Sequence, residues 1–183
     1  ALPVTVVSQL VALPVLVVCV ALTSAGGPTL GELGWGAVAG MAGFIGIVLL
    51  YRGLAAGAMA IFAPVTAVTA AVVPLGAGLL FGDRPGLLAL VGVGCAVTAI
   101  ALMSLTPSSP LGASVTGPSR GLIGLALASG AMFGAFFAVL GKTTSPDAGL
   151  WSLVGVRTGS IALGLALVAR AGVRGTTRAR LLA

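Results

Sequence analysis

Charge is so scarce in this chain that it divides the sequence into segments. The 183 residues carry nine Lys or Arg and three Asp or Glu. Between them run uncharged intervals from Ala1 to Gly31, Leu33 to Tyr51, Gly53 to Gly82, Pro85 to Ser119 and Gly121 to Gly141. A sixth, from Ala148 to Ala169, is interrupted only by Arg157. A helix needs roughly 20 apolar residues to cross a hydrocarbon core of about 30 Å, so each interval holds one crossing. The spacing predicts helices over Pro3–Thr23, Gly34–Tyr51, Gly57–Phe81, Leu87–Leu105, Gly121–Gly141 and Leu150–Ala169. The runs are apolar on every face, without the alternation of a lipid-facing barrel strand. The expected fold is all-α: a polytopic helical membrane protein with six spans.

Composition excludes the other broad classes. Charged residues make up 7% and hydrophobic ones 58%, with 29 Gly besides. A soluble domain of this length cannot cover its surface with twelve charges, so soluble enzymes and secreted disulfide scaffolds are set aside. The net charge of +6 does not indicate a nucleic-acid partner. Four basic residues (Arg170, Arg174, Arg178 and Arg180) cluster in the last fourteen positions, and the rest, Arg157 excepted, are scattered among the loops, as residues anchoring helix ends are. The expected partner is the lipid bilayer. Residues 1 to 23 lack a basic leader and read as a membrane helix, not a signal peptide. With Ala at position 1 and a basic segment at the end, the sequence reads as a fragment.

The chain has no His, the commonest metal ligand and general base. Ser129 and Ser160 have no activating partner and read as donors between helices. Cys19 and Cys95, inside apolar runs, read as buried, unreactive thiols. Glu32, Asp83 and Asp147 fall in loops or at helix starts, where a helix N-terminus favours them. No enzymatic activity, metal or cofactor is expected.

Glycines recur at four-residue spacing in Gly36/Gly40, Gly130/Gly134 and Gly155/Gly159. Such pairs let helix backbones approach closely in lipid, within one chain or across a homodimer. The third span carries Pro64 and Pro74 with Thr66 and Thr69 between them. It reads either as a static kink or as a gating, cavity-lining helix. Arg157 lies well inside the sixth span, where a charge is costly unless it snorkels, finds a partner or meets an anionic substrate.

From Tyr51 to Met103 the order of features resembles the EamA-type transporters of the drug/metabolite transporter superfamily. A Tyr-containing helix end leads through a tight turn to Ala63-Pro64, then a second proline, the turn Gly82-Asp83-Arg84 and a Gly-rich helix. Asp83 stands where the family usually has Glu. The Gly130-to-Phe137 stretch resembles the opening helix of a second repeat, and Arg157 matches an arginine common early in the helix that follows.

The resemblance implies ten helices in two inverted five-helix repeats, of which these six match the second through the seventh. Residues 1–106 would then be most of the first repeat, 107–119 a linker, and 120–183 the start of the second with a basic tail. The implied function is a secondary transporter of small metabolites or drugs, an exporter by alternating access, in a bacterial cytoplasmic membrane. The second, third and fifth helices would face the cavity. Gly36, Gly40, Pro64, Thr66, Pro74, Met132 and Phe133 are the candidate cavity or gate residues, and Arg157 the candidate anion contact or anchor. The positive-inside rule puts the Arg52, Arg120 and Arg170 loops in the cytoplasm, whereas the family's plan puts the Asp83–Arg84 turn there. The alternative function is a non-transporting membrane protein, a relic or an accessory subunit packing through its glycine faces.

Overall fold

The computed structural model describes residues 2–23, 27, 29–56, 59–82, 84–105, 120–143 and 151–181. Six α-helices account for nearly all of them: α1 (Leu2–Thr23), α2 (Leu30–Ala55), α3 (Met59–Leu80), α4 (Leu87–Leu105), α5 (Arg120–Thr143) and α6 (Trp151–Leu181). Four contain stretches long and apolar enough to cross a membrane: Leu30–Ala55, Phe62–Leu80, Arg120–Lys142 and Trp151–Arg170. The described apolar stretches of α1 and α4, Val7–Leu22 and Leu90–Ile100, are shorter. The chain is a helical integral membrane protein. The segment between α4 and α5 and the acids Asp83 and Asp147 lie outside the described residues, as do the side chains of Arg174, Arg178 and Arg180.

Local chemistry sets the helix ends. At the start of α2, the Thr29 N–H donates to Glu32 Oε2 at 3.1 Å and the Glu32 N–H donates to Thr29 Oγ1 at 3.3 Å. This capping box satisfies two backbone donors that the first turn leaves open, so Glu32 does the helix-start work expected of it. Gly82 follows α3 with φ +89°, the left-handed conformation that ends helices and favours glycine. Pro85 precedes α4, whose first turn closes with the Leu90 N–H on the Gly86 carbonyl at 3.2 Å. The sixth helix runs past the expected end at Ala169 to Leu181. Its Ala and Arg residues favour helix, and beyond Arg170 the backbone stays helical after the apolar span has ended.

The chain forms two compact units, Ala1–Phe44 with Val139–Ala183, and Ile45–Ala138. Their boundaries fall within α2 and near the end of α5, so each unit mixes residues from both sides of the segment read as the inter-repeat linker. In the first unit α1 packs on α6, and Val20, Ala39, Phe44 and Ile161 are buried. In the second α3 packs on α4, and Phe62, Thr66, Ala126 and Ser129 are buried. Large apolar side chains face outward instead, among them Leu22, Leu80 and Leu88, each more than 80% exposed. Lipid tails are as apolar as leucine, so the drive to bury such side chains is absent. The same reason corrects the expectation for the thiols: Cys19 and Cys95 are exposed on α1 and α4, not buried.

Candidate functional site

In the first unit, α2 and α6 cross through glycines from both helices. A methyl group built on Gly36 would stand 3.1 Å from the Ser152 carbonyl carbon, and one on Gly40 would stand 2.7 Å from that of Val156. Reciprocally, a methyl on Gly155 would meet the Leu33 carbonyl oxygen at 2.5 Å, and one on Gly159 the Ala37 carbonyl carbon at 2.7 Å. Residue numbers climb together along the two helices, so the crossing is parallel and backbone lies on backbone. Ser160 Oγ, buried beside it, is 2.9 Å from both the Gly40 and Val156 carbonyl oxygens. This is the close-packing role expected of the glycine pairs. The side of Gly36 and Gly40 where a side chain would stand is filled by α6.

The second unit repeats the device with α3 and α5. A methyl on Gly130 would lie 2.5 Å from Thr69 Cβ and 2.6 Å from the Thr66 carbonyl oxygen, and one on Gly134 would lie 2.7 Å from Val73 Cγ1. Thr66, buried, donates through Oγ1 to the Ala126 carbonyl at 3.3 Å. Again the numbering climbs on both helices. Every one of these α3 residues lies between Pro64 and Pro74. On α5, the buried Ser129 hydroxyl donates to the Gly46 carbonyl of α2 at 3.0 Å, and the Phe133 ring covers Gly46. Ser129 and Ser160 thus bridge helices as expected. We predict that Ser129→Ala and Ser160→Ala each cost about 0.5 to 2 kcal/mol, the range for interhelical hydrogen bonds in lipid. Denaturant unfolding in mixed micelles measures this, with exposed Ser8→Ala as the reference that stays at wild type.

Within α3, each proline lacks the N–H that would bond one turn back, to Ala60 for Pro64 and to Ala70 for Pro74. The Thr69 hydroxyl does not take up the Ala70 carbonyl; it donates to the Val65 carbonyl at 2.8 Å. Pro64 and Pro74 are half-buried, as is Met132 on α5. Of the expected cavity or gate residues, Thr66, Phe133 and the two prolines are thus gathered with Met132 in the second unit. Gly36, Gly40 and Arg157 belong to the first.

Arg157 lies six residues past Trp151, about 9 Å along α6. Its guanidinium donates through an Nη to Gln9 Oε1 of α1. Every other described basic side chain (Arg52, Arg84, Arg120, Lys142 and Arg170) is exposed, whereas Arg157 and Gln9 are half-buried. Sequence reasoning passed over Gln9. The available signal was its uniqueness: it is the only Gln of the chain, which has no Asn, and it interrupts an apolar run. No group of three or more metal-ligating side chains occurs among the described residues. Searches for a matching protein-family model, a similar characterised protein or a similar solved structure returned none.

Proposed function

We propose that the chain belongs to a secondary transporter of small molecules, of the EamA type, exporting metabolites or drugs across a bacterial cytoplasmic membrane by alternating access. The observation that carries this reading is the way α5 holds α3. Thr66, Thr69 and Val73 are held against Ala126, Gly130 and Gly134, and all three lie between the two prolines. The centre of α3 is therefore fixed to α5 by close backbone approach, while its backbone ladder is weakened at Pro64 and Pro74. A helix clamped in the middle and hinged at either end can swing its ends, which is what a gate requires. The family resemblance supplies the rest: six of ten helices, the second through the seventh, with α2, α3 and α5 facing the central cavity.

The test is Pro64→Ala and Pro74→Ala in the intact protein, reconstituted in vesicles loaded in turn with radiolabelled amino acids and aromatic acids. Each variant should lose flux several-fold, and the double variant more. Thermal stability should hold or rise, because Ala restores a backbone hydrogen bond and is the better helix former. Flux at the wild-type rate in both single variants would overturn the gating role.

A further inference from the structure

We propose that Arg157 and Gln9 together form a binding site for a singly charged oxyanion, a carboxylate or a phosphodiester. Arg157 stands inside the apolar stretch Trp151–Arg170, and the partner it meets there, Gln9, is neutral. The pair therefore keeps its full positive charge in a setting where an isolated charge is unfavourable. Among the described residues the one acid is Glu32. Glu32 is engaged in the capping box of α2, and Asp83 and Asp147 fall in the sequence between spans, outside the described residues.

The donor arithmetic narrows the ligand further. A guanidinium offers five N–H groups and no acceptor, and a glutamine amide offers two N–H groups and one carbonyl oxygen. Gln9 turns that oxygen to Arg157. Apart from that shared oxygen, the pair presents only N–H groups, with one positive charge behind them. A cation is repelled, and a neutral donor finds no acceptor but the oxygen that Arg157 already engages. A ligand carrying acceptor oxygens and one negative charge satisfies both the hydrogen bonds and the charge, with the planar guanidinium fork matched to it. The bond to Gln9 also fixes the orientation of that fork before the ligand arrives. A small-molecule carboxylate bound here would be the transported substrate, and in that respect alone the inference rests on the transport reading. The other source of the same chemistry is the phosphodiester of a lipid headgroup.

The experiment uses the intact protein in dodecyl maltoside micelles, which contain no phosphodiester, with benzoate as probe and benzamide, its neutral isostere, as control. Benzoate should raise the Tm and benzamide should not. Gln9→Glu supplies a carboxylate within the span, so it should keep or raise the Tm and abolish the benzoate response, even if Arg157→Gln fails to fold. Arg157→Lys, which keeps the charge but loses the fork, should weaken benzoate binding about tenfold, close to the lower end of what one charged hydrogen bond contributes. If benzoate is inert but phosphatidylglycerol added to the micelles raises the Tm, and Gln9→Glu removes that rise, the oxyanion is the headgroup's. The proposal is overturned if neither anion acts, if benzamide matches benzoate, or if the response survives Gln9→Glu. Because the readout is binding, a site that binds benzoate in a protein without flux would sink the transport reading and leave this one standing.

Discussion

Replacing Gly40 with leucine should unfold the contact between α2 and α6 and lower the stability of the protein by more than about 3 kcal/mol, beyond the usual range for an overpacked core. The reason is what the new side chain would strike. Its first carbon would sit 2.7 Å from the Val156 carbonyl carbon and 2.8 Å from the Val156 Cα. Both are backbone atoms of a helix and cannot rotate aside as a flexible side chain would. Gly159→Leu should behave alike, since its first carbon meets the Ala37 backbone. Gly34→Leu is the control. It lies on the same helix two residues before Gly36, with nothing within 4 Å of the position its Cβ would take. Unfolding in mixed micelles should show Gly34→Leu at or above the wild type, because leucine is the better helix former by about 0.8 kcal/mol. Equal loss in both variants would mean that the crossing does not hold the helices.

Removing Gln9 alone should cost about 2 to 3 kcal/mol, because Gln9→Leu strips Arg157 of its α1 partner and leaves the charge inside the apolar stretch of α6. Arg157→Leu alone should cost less, since it orphans a neutral amide. The double variant Gln9→Leu/Arg157→Leu should recover most of the loss, because replacing both members of a buried polar pair with apolar groups is close to neutral or stabilising. A double-mutant cycle on unfolding free energy reads the coupling directly. Additive single effects would show that the two side chains do not act as a pair. The recovered double variant should at the same time have lost any response to benzoate, which separates what the pair does for the fold from what it does for a ligand.

Much of the fold was legible because lipid imposes a one-dimensional rule. A span must be nearly free of charge over its length, so the gaps between charges located the six described helices, and the start of α4 at Leu87 and its end at Leu105 coincide with the sequence reading. Glu32 at a helix start and the serines between helices were readable for the same reason: in a chain so poor in polar groups, each one has few possible uses. The sixth helix was underestimated because hydropathy marks where the membrane ends, not where the backbone hydrogen bonds end. The cysteines were misjudged by a rule from water-soluble proteins, where apolar context implies burial.

Pairing was not legible. Three glycine pairs at the same spacing look identical in sequence, yet Gly36/Gly40 and Gly155/Gly159 face each other while Gly130/Gly134 face Thr66, Thr69 and Val73. Spacing states that a helix has a smooth stripe and says nothing of which helix will lie on it. Gln9 and Arg157 are 148 positions apart and share no local pattern.

The sparse charges of this chain, read alone, determined that it is a membrane protein and where its helices run, because the cost of charge in hydrocarbon acts on each segment separately. Only the tertiary structure decided which helices touch, that the centre of α3 is clamped between its prolines, and that Arg157, well inside the span of α6, meets Gln9 of α1. Those depend on the shapes of surfaces distant in sequence, and close packing is a property of two surfaces at once.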